Sequence, residues 1–201
     1  MLKQLAHVLS AIFHPLLILT LGILVLFNSG GYMELLPYES KRVVVIIIFA
    51  STFLLPITFF PFYLYQGIIH SVHMHTKAER RIPYMLTTVI YFLCYLLLFQ
   101  IGAPHIITHF VLGAAVALAV LVVINFFWKI SAHMTALGGL AGGITSLVVL
   151  LQVNLQGYFL LAVLISGLVG SARMLLKAHS LLQIAAGWLL GFGAMFFTLT
   201  L

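Results

Sequence analysis

The sequence predicts an all-α transmembrane helical bundle of about six to seven spans, with residues 1–201 forming one domain. Hydrophobic residues make up 64% of the chain and charged residues only 6%, and the mean hydropathy is +1.24. No soluble domain of this length buries so much apolar surface. Several apolar runs reach the roughly 18 to 20 residues that a helix needs to cross a bilayer. These runs lack strand-like alternation, which favours helices over a barrel.

Seven apolar segments are predicted as spans. In chain order they are 9–27, 43–65, 84–101, 106–127, 134–153, 158–175 and 181–201. The first is too long for a signal-peptide core and is expected to be retained. Pro56 and Pro61 predict bends in the second. Glycines at four-residue spacing in the last spans predict close helix packing in lipid.

Many of the polar, chargeable residues fall into three short polar clusters between apolar segments. The first polar cluster is 77–83, the second is 131–133 and the third is 171–183. Two predicted spans separate the first from the second, and two more separate the second from the third. Because an even number of crossings returns the chain to the same side, we expect all three clusters at one membrane face. Ionisable residues are costly beside hydrocarbon, so their gathering indicates a shared site.

The residue types in the second and third clusters are those that bind a phosphate and attack it. His179 and Gln183 are four positions apart, so they share one face of a helix. Arg173 precedes them and carries a guanidinium suited to paired hydrogen bonds with phosphate oxygens. Ser131 offers a hydroxyl to an oxyanion, and His133 is placed to move a proton.

The first cluster adds positive charge. Lys77 and Arg81 are one helical turn apart, and Arg80 is an adjacent alternative to Arg81. The formal net charge of the chain is +6, with only three acidic residues. Such a balance is typical of attraction to anionic lipid head groups, and equally of an anionic substrate.

In content and order, the three polar clusters resemble the motifs of the membrane branch of the type 2 phosphatidic acid phosphatase superfamily. That family is marked by K-x6-RP, then PSGH, then SR-x5-H-x3-D. This chain has Lys77 with Arg81 and the following IP, then ISAH at 130–133, then SAR-x5-H-x3-Q at 171–183. The resemblance covers about residues 70–191, and it implies a core of that family's kind in this region.

The resemblance implies a phosphatase that acts on a lipid phosphate or diphosphate through a phosphohistidine intermediate. His179 would attack phosphorus, and His133 would protonate the leaving group and then activate water. The phosphoryl oxygens would be held by Lys77, Arg81 or its neighbour Arg80, Ser131 and Arg173. Candidate substrates are phosphatidic acid, phosphatidylglycerol phosphate and polyprenyl diphosphate. The implied partners are membrane lipids in a bacterial inner membrane, with no metal, cofactor or nucleic acid.

Two departures from the family pattern affect the rate of hydrolysis that we expect. Gln183 occupies the position of the last Asp, and an amide orients the attacking imidazole without stabilising its cationic form. Lys77 stands four positions before Arg81, where the family has seven. Glu79 is the only acidic residue in the clusters. We therefore expect turnover below that of a site with the carboxylate.

Other functions remain open on the sequence alone. A relative without catalysis that binds or moves an anionic lipid fits the same residues, and a small transporter or channel would use the glycines and intramembrane histidines. His70, His73 and His75 form an HxxHxH run that matches the ligand preferences of a transition metal. His14 and His109 lie in or near apolar spans, where paired histidines can ligate haem.

Overall fold

The computed structural model describes residues 1–72, 74 and 76–201, and every regular element in that part of the chain is helical. Within it, six helical stretches are long and apolar enough to cross a membrane, or seven if a bent pair of helices counts as one span. The chain is therefore a multi-pass integral membrane protein, as predicted. The elements are α1 (Leu2–Ile12), α2 (Pro15–Phe27), α3 (Tyr38–Phe49), a π-helical segment (Ala50–Leu54), α4 (Leu55–Thr58), α5 (Phe60–Tyr65), α6 (Lys77–Gln100), α7 (His105–Phe127), α8 (Ala132–Leu151), α9 (Gln156–Leu175) and α10 (Leu181–Thr200).

The first predicted span is two helices instead of one. α1 begins at Leu2, and α1 and α2 meet at an angle of 56°. Pro15 causes the break, because it has no N–H to donate and it disfavours helical geometry in the preceding residue. His14 is extended, with φ −63° and ψ 135°, and its Nδ1 accepts a hydrogen bond from the backbone N–H of Leu16. The apolar run continues through this break, so hydrophobicity alone does not reveal it.

The second span changes its helix type or is interrupted next to its two prolines. It runs over Tyr38–Tyr65 and is interrupted first by the π-helical segment and then near Phe59. Pro56 lies in the first turn of α4, directly after the π-helical segment, and Pro61 lies in the first turn of α5; a proline donates no N–H to the turn before it. The helix is thus interrupted next to both prolines, and the bends predicted there stay a prediction.

The third span starts earlier than the apolar pattern indicates. α6 begins at Lys77 because Thr76 forms a capping box with Glu79, in which each side chain bonds to the other residue's backbone N–H. The first polar cluster thus forms the opening turns of a helix, and its residues point to different sides of that helix.

α8 is the central helix of the bundle, and it packs most closely against α10. The glycines make this approach possible. A Cβ on Gly187 would lie 2.7 Å from the backbone oxygen of Ser131, and one on Gly138 or Gly191 would overlap the backbone of the other helix. The predicted close packing at these glycines is confirmed. Because α8 and α10 run side by side in the same direction, their first turns lie at the same end.

Candidate functional site

A cavity of about 340 Å³ opens between the helices, and one end of it is lined by basic and histidine side chains. Four of the predicted site residues line this polar end: Arg80, His133, Arg173 and His179. They come from α6, α8, α9 and the loop before α10. The structure therefore brings residues of all three polar clusters into one place, as the even number of crossings predicts.

His179 is held at the start of α10. The side chain is 7% exposed, and its Nδ1 lies 3.3 Å from Oε1 of Gln183. The same Oε1 accepts a hydrogen bond from the backbone N–H of Ser180 at 3.0 Å, which identifies this atom as the amide oxygen. An amide oxygen only accepts, so Nδ1 of His179 donates and the lone pair lies on Nε2. Gln183 thus orients His179 as the sequence predicts.

His133 is fixed by a partner that the clusters do not contain. Its Nε2 lies 3.1 Å from the backbone oxygen of Ser10, and the two ring centroids of His133 and His14 are 5.9 Å apart. The Ser10 carbonyl is one of the last four of α1, which a helix leaves without intrahelical donors. Since a carbonyl only accepts, Nε2 of His133 carries a hydrogen, and Nδ1 is the nitrogen left for proton transfer.

Positive charge crowds around His179. Arg80 is 4% exposed, and its Nε donates to the backbone oxygen of Met74 at 2.9 Å. The Nε of Arg173 is buried and has no hydrogen-bond partner among the described residues. The pKa of His179 is lowered to about 3, first by burial and then by the charges of Arg80, Arg173 and Lys129, against a smaller opposing effect of the Gln183 hydrogen bond. Burial lowers the pKa of Lys129 as well, and so do Arg80 and Arg173.

No carboxylate lines the cavity in the described part of the chain. Glu79, the only acidic residue of the clusters, is occupied elsewhere. Its Oε1 accepts from the backbone N–H of His70 at 3.1 Å, and its Oε2 accepts from the N–H and the hydroxyl of Thr76 at 2.9 and 3.1 Å. Glu79 therefore fixes the start of α6 and is not a partner of His179.

Three predicted phosphate-binding residues lie outside the cavity lining. Lys77 donates from Nζ to the backbone oxygen of Phe127 at 3.0 Å and so ties α6 to α7. The Arg81 guanidinium lies 4.8 Å from the ring centroid of Phe126. Ser131 is fully buried and caps α8, its Oγ accepting from the N–H of Met134 at 3.4 Å. These positions give Lys77, Arg81 and Ser131 structural roles in place of the predicted contacts with phosphate.

The structure also adds residues to the polar end that the clusters do not include. His7, Ser10 and His14 line it from the first span, and Tyr84 lines it from α6. Ser10 is 7% exposed and its Oγ has no hydrogen-bond partner among the described residues. His7 and Ser10 are three positions apart and share one face of α1, which is a signal present in the sequence, whereas His14 reaches the polar end from the break between α1 and α2. Lys129, whose charge acts on His179, lies two positions before the second cluster. From the sequence alone it resembles an interfacial anchor.

The haem alternative does not fit the histidine positions. His14 lines the cavity, whereas His109 stacks on His105 with ring centroids 4.3 Å apart, at the start of α7. The last residue of α7, Phe127, contacts Lys77, on the side of the bundle where the polar end lies. The start of α7 is therefore on the opposite side, far from the polar end. For the HxxHxH run, His73 and His75 lie outside the described residues.

The cavity is polar at one end only. The rest of its wall is mostly apolar, and the other lining residues with a hydroxyl or a sulfur are Tyr63, Met74, Thr87, Tyr91, Thr135 and Met195. A head group with negative charge and a hydrocarbon tail would meet complementary surfaces at the two ends. No model of a known protein family, no curated protein and no solved structure matches this chain.

Proposed function

We propose that this protein is a membrane phosphatase that hydrolyses a lipid phosphate or diphosphate through a phosphohistidine intermediate. One observation carries the proposal: two arginines and several histidines share a buried, carboxylate-free polar end that continues into an apolar cavity. Burying like charges together is unfavourable unless an anion joins them. A phosphate head group supplies that anion, and the apolar wall accepts its tail.

The attacking group is Nε2 of His179. This nitrogen carries a lone pair because the side chain stays neutral at physiological pH and its Nδ1–H is directed to Gln183. Nε2 forms a bond to phosphorus while the bond from phosphorus to the leaving oxygen breaks. Arg80 and Arg173 stabilise the charge on the phosphoryl oxygens, the effect that accounts for most catalysis of this kind.

Proton transfer is assigned to His133. A monoanionic phosphate group first passes its proton to Nδ1 of His133, and Nδ1 then gives this proton to the leaving oxygen. In the second half, water attacks phosphorus, Nδ1 of His133 takes a proton from that water, and the nitrogen–phosphorus bond breaks. The products are an alcohol or a lipid monophosphate, together with inorganic phosphate. No metal or redox group takes part in these steps.

The substrates proposed are phosphatidic acid, phosphatidylglycerol phosphate and polyprenyl diphosphate, and the proposed location is a bacterial inner membrane. The support for this assignment is the resemblance of the polar clusters to type 2 phosphatidic acid phosphatases. Of the family positions, Arg173, His179 and His133 lie at the cavity, and Gln183 contacts His179.

A second candidate function is binding or movement of an anionic lipid without hydrolysis. Gln183 favours it, because a neutral amide cannot stabilise the positive charge that His179 gains when it bonds to phosphorus. Glu79 does not compensate, since its two oxygens are bonded to residues 70 and 76.

The test is phosphate release by the purified protein in lipid nanodiscs, measured on the three candidate lipids. We expect release by the wild type and loss of release in His179→Ala and His133→Ala, with His109→Ala, which alters a histidine at the opposite end, as the matched control. Lipid binding without release would establish the second function instead. Equal release by the wild type and both cavity variants would contradict the proposed mechanism.

A further inference from the structure

The apolar part of the cavity has a definite depth. Along α6 its lining residues run from Arg80 to Tyr91, and along α7 from Leu121 to Phe110. Each of these stretches covers eleven residue steps, which is about 16 Å at 1.5 Å per residue. The hydrocarbon core of a bilayer is about 30 Å thick. The lined stretch therefore spans about half of that thickness.

Phe110 lies at the deep end of this stretch and is held tightly. Its side chain is 1% exposed, and the ring edge is packed against two glycines on different helices. A Cβ placed on Gly22 of α2 would lie 2.7 Å from Cε1 of Phe110, and one on Gly143 of α8 would lie 2.6 Å from Cζ. Even an alanine at either glycine would force the ring to move. The ring is thus fixed between α2 and α8.

Two more side chains complete this end of the cavity. The Cβ position of Gly22 is 3.4 Å from Cδ1 of Leu140, and that of Gly143 is 3.3 Å from Cγ of Met195. Leu140 and Met195 also line the cavity. Phe110, Leu140 and Met195 therefore form what we call the floor, which lies opposite the polar end.

We infer that the floor limits the length of the hydrocarbon chain that the site accepts, with one chain of an anionic lipid inserted from the polar end down to Phe110. This inference rests on the proposed function, because it needs the phosphate to lie among Arg80, Arg173 and His179. The occupant follows from continuity: the apolar wall begins directly below those side chains, so a molecule anchored there by its phosphate places its tail against the wall. A chain longer than the cavity has to bend or leave part of itself outside.

Two substitutions change the depth in opposite directions. Ala114 lines the cavity one helical turn closer to the polar end than Phe110, so Ala114→Leu fills existing space and shortens the cavity. Phe110→Ala removes the ring and deepens the cavity, at a cost in stability, so its fold is checked first. The matched controls are Ala119→Leu, on α7 but outside the cavity lining, and Phe92→Ala, which is 47% exposed.

The experiment measures binding and hydrolysis of monoalkyl phosphates, from hexyl to octadecyl, by each variant in nanodiscs of one lipid composition. We expect Ala114→Leu to lose about tenfold in affinity for long chains while short chains are unaffected, by analogy with the cost of added methylenes in closed pockets. Phe110→Ala should extend the accepted range, and both controls should match the wild type.

Two contrary results are distinguishable. If the wild type binds alkyl phosphates and the length profile stays the same in the folded Ala114→Leu and Phe110→Ala proteins, the chain leaves the cavity sideways and the inference is overturned. If the wild type binds no alkyl phosphate of any length, the proposed function fails, and the floor has no such role.

Discussion

Arg80 and Arg81 are adjacent in the sequence and lie in very different environments. Arg80 is 4% exposed, lines the cavity and is close enough to lower the pKa of His179. Arg81 lies over the ring of Phe126, outside the cavity lining. Successive residues of an α-helix point about 100° apart, so only one of two neighbours can face a given site. The spacing of the family motif predicts Arg81 as the phosphate-binding residue. The rotation of α6 instead places Arg80 at the cavity.

The same contrast holds between the cations that line the cavity, which form its cavity face, and the cations outside that lining, on what we call the outer face of α6. Arg80 and Arg173 lie at the polar end beside His179, whereas Lys77 and Arg81 connect α6 to the end of α7. A cation facing the cavity should govern substrate binding, and a cation on the outer face should affect only packing. This difference can be measured.

The largest expected effect is on phosphate release. Arg80→Gln should lower kcat/KM by about 100-fold, because truncating one partner of a buried, hydrogen-bonded charge pair costs about 2–5 kcal/mol. Arg81→Gln should stay within about threefold of the wild type, because it removes a cation–π contact with Phe126 that lies outside the cavity lining. Size-exclusion profiles identify variants that have lost the fold, and Arg173→Gln gives a second reading of the cavity face. Equal losses at positions 80 and 81 would remove the distinction between the two faces.

A smaller increase is expected from Gln183→Glu. The glutamate has the length of the glutamine, so it keeps its contacts with His179 and Ser180 and adds the negative charge that the amide lacks. We expect turnover to rise by at least about tenfold, since exchanging the corresponding Asp for an amide in a serine protease costs on the order of 10⁴. The control is Gln152→Glu, at the opposite end of α8. An unchanged rate would show that Gln183 only caps α10.

The predictions made from the sequence fail and succeed for physical reasons. Long apolar runs define the spans well, because lipid leaves a helix few alternatives. The meeting of the three polar clusters was predictable, because the number of membrane crossings between them can be counted from the sequence. The partner of His133 is not predictable in this way. It is the Ser10 carbonyl of α1, freed by the break at Pro15, and 123 positions separate the two residues. The contact depends on how α1 packs against α9, which no local pattern encodes.

The Tm should also distinguish a variant on the cavity face from one on the outer face, by a few degrees. Arg173→Met keeps the apolar stem of the side chain and removes one of the crowded charges, so we expect the Tm in phosphate-free buffer to rise by about 2–4 °C. Lys77→Met loses the hydrogen bond to Phe127, and its Tm should fall slightly. Added phosphate should raise the Tm of Lys77→Met and not that of Arg173→Met. A lower Tm for Arg173→Met without phosphate would contradict the electrostatic crowding.

A further expected effect on stability concerns pH. In the unfolded chain His179 takes up a proton near its ordinary pKa of 6.5, but in the folded protein only near 3. Between these values the unfolded state binds more protons, so stability falls as the pH falls. From about pH 7 to about pH 5, the wild-type Tm should therefore drop further than that of His179→Gln. His105→Gln, at the opposite end, should behave as the wild type does. A drop of the same size in His179→Gln would show that burial does not keep His179 neutral.

The central claim, that His179 attacks a phosphate held at the polar end of the cavity, is tested most directly by trapping the intermediate. The protein is quenched with base during turnover of a lipid phosphate carrying radioactive phosphorus, and its peptides are mapped by mass spectrometry. We predict an acid-labile, base-stable phosphoryl group on His179, present in the wild type and absent from His179→Ala. Release of phosphate by the wild type with no label on His179, or a label that persists in His179→Ala, would contradict the account.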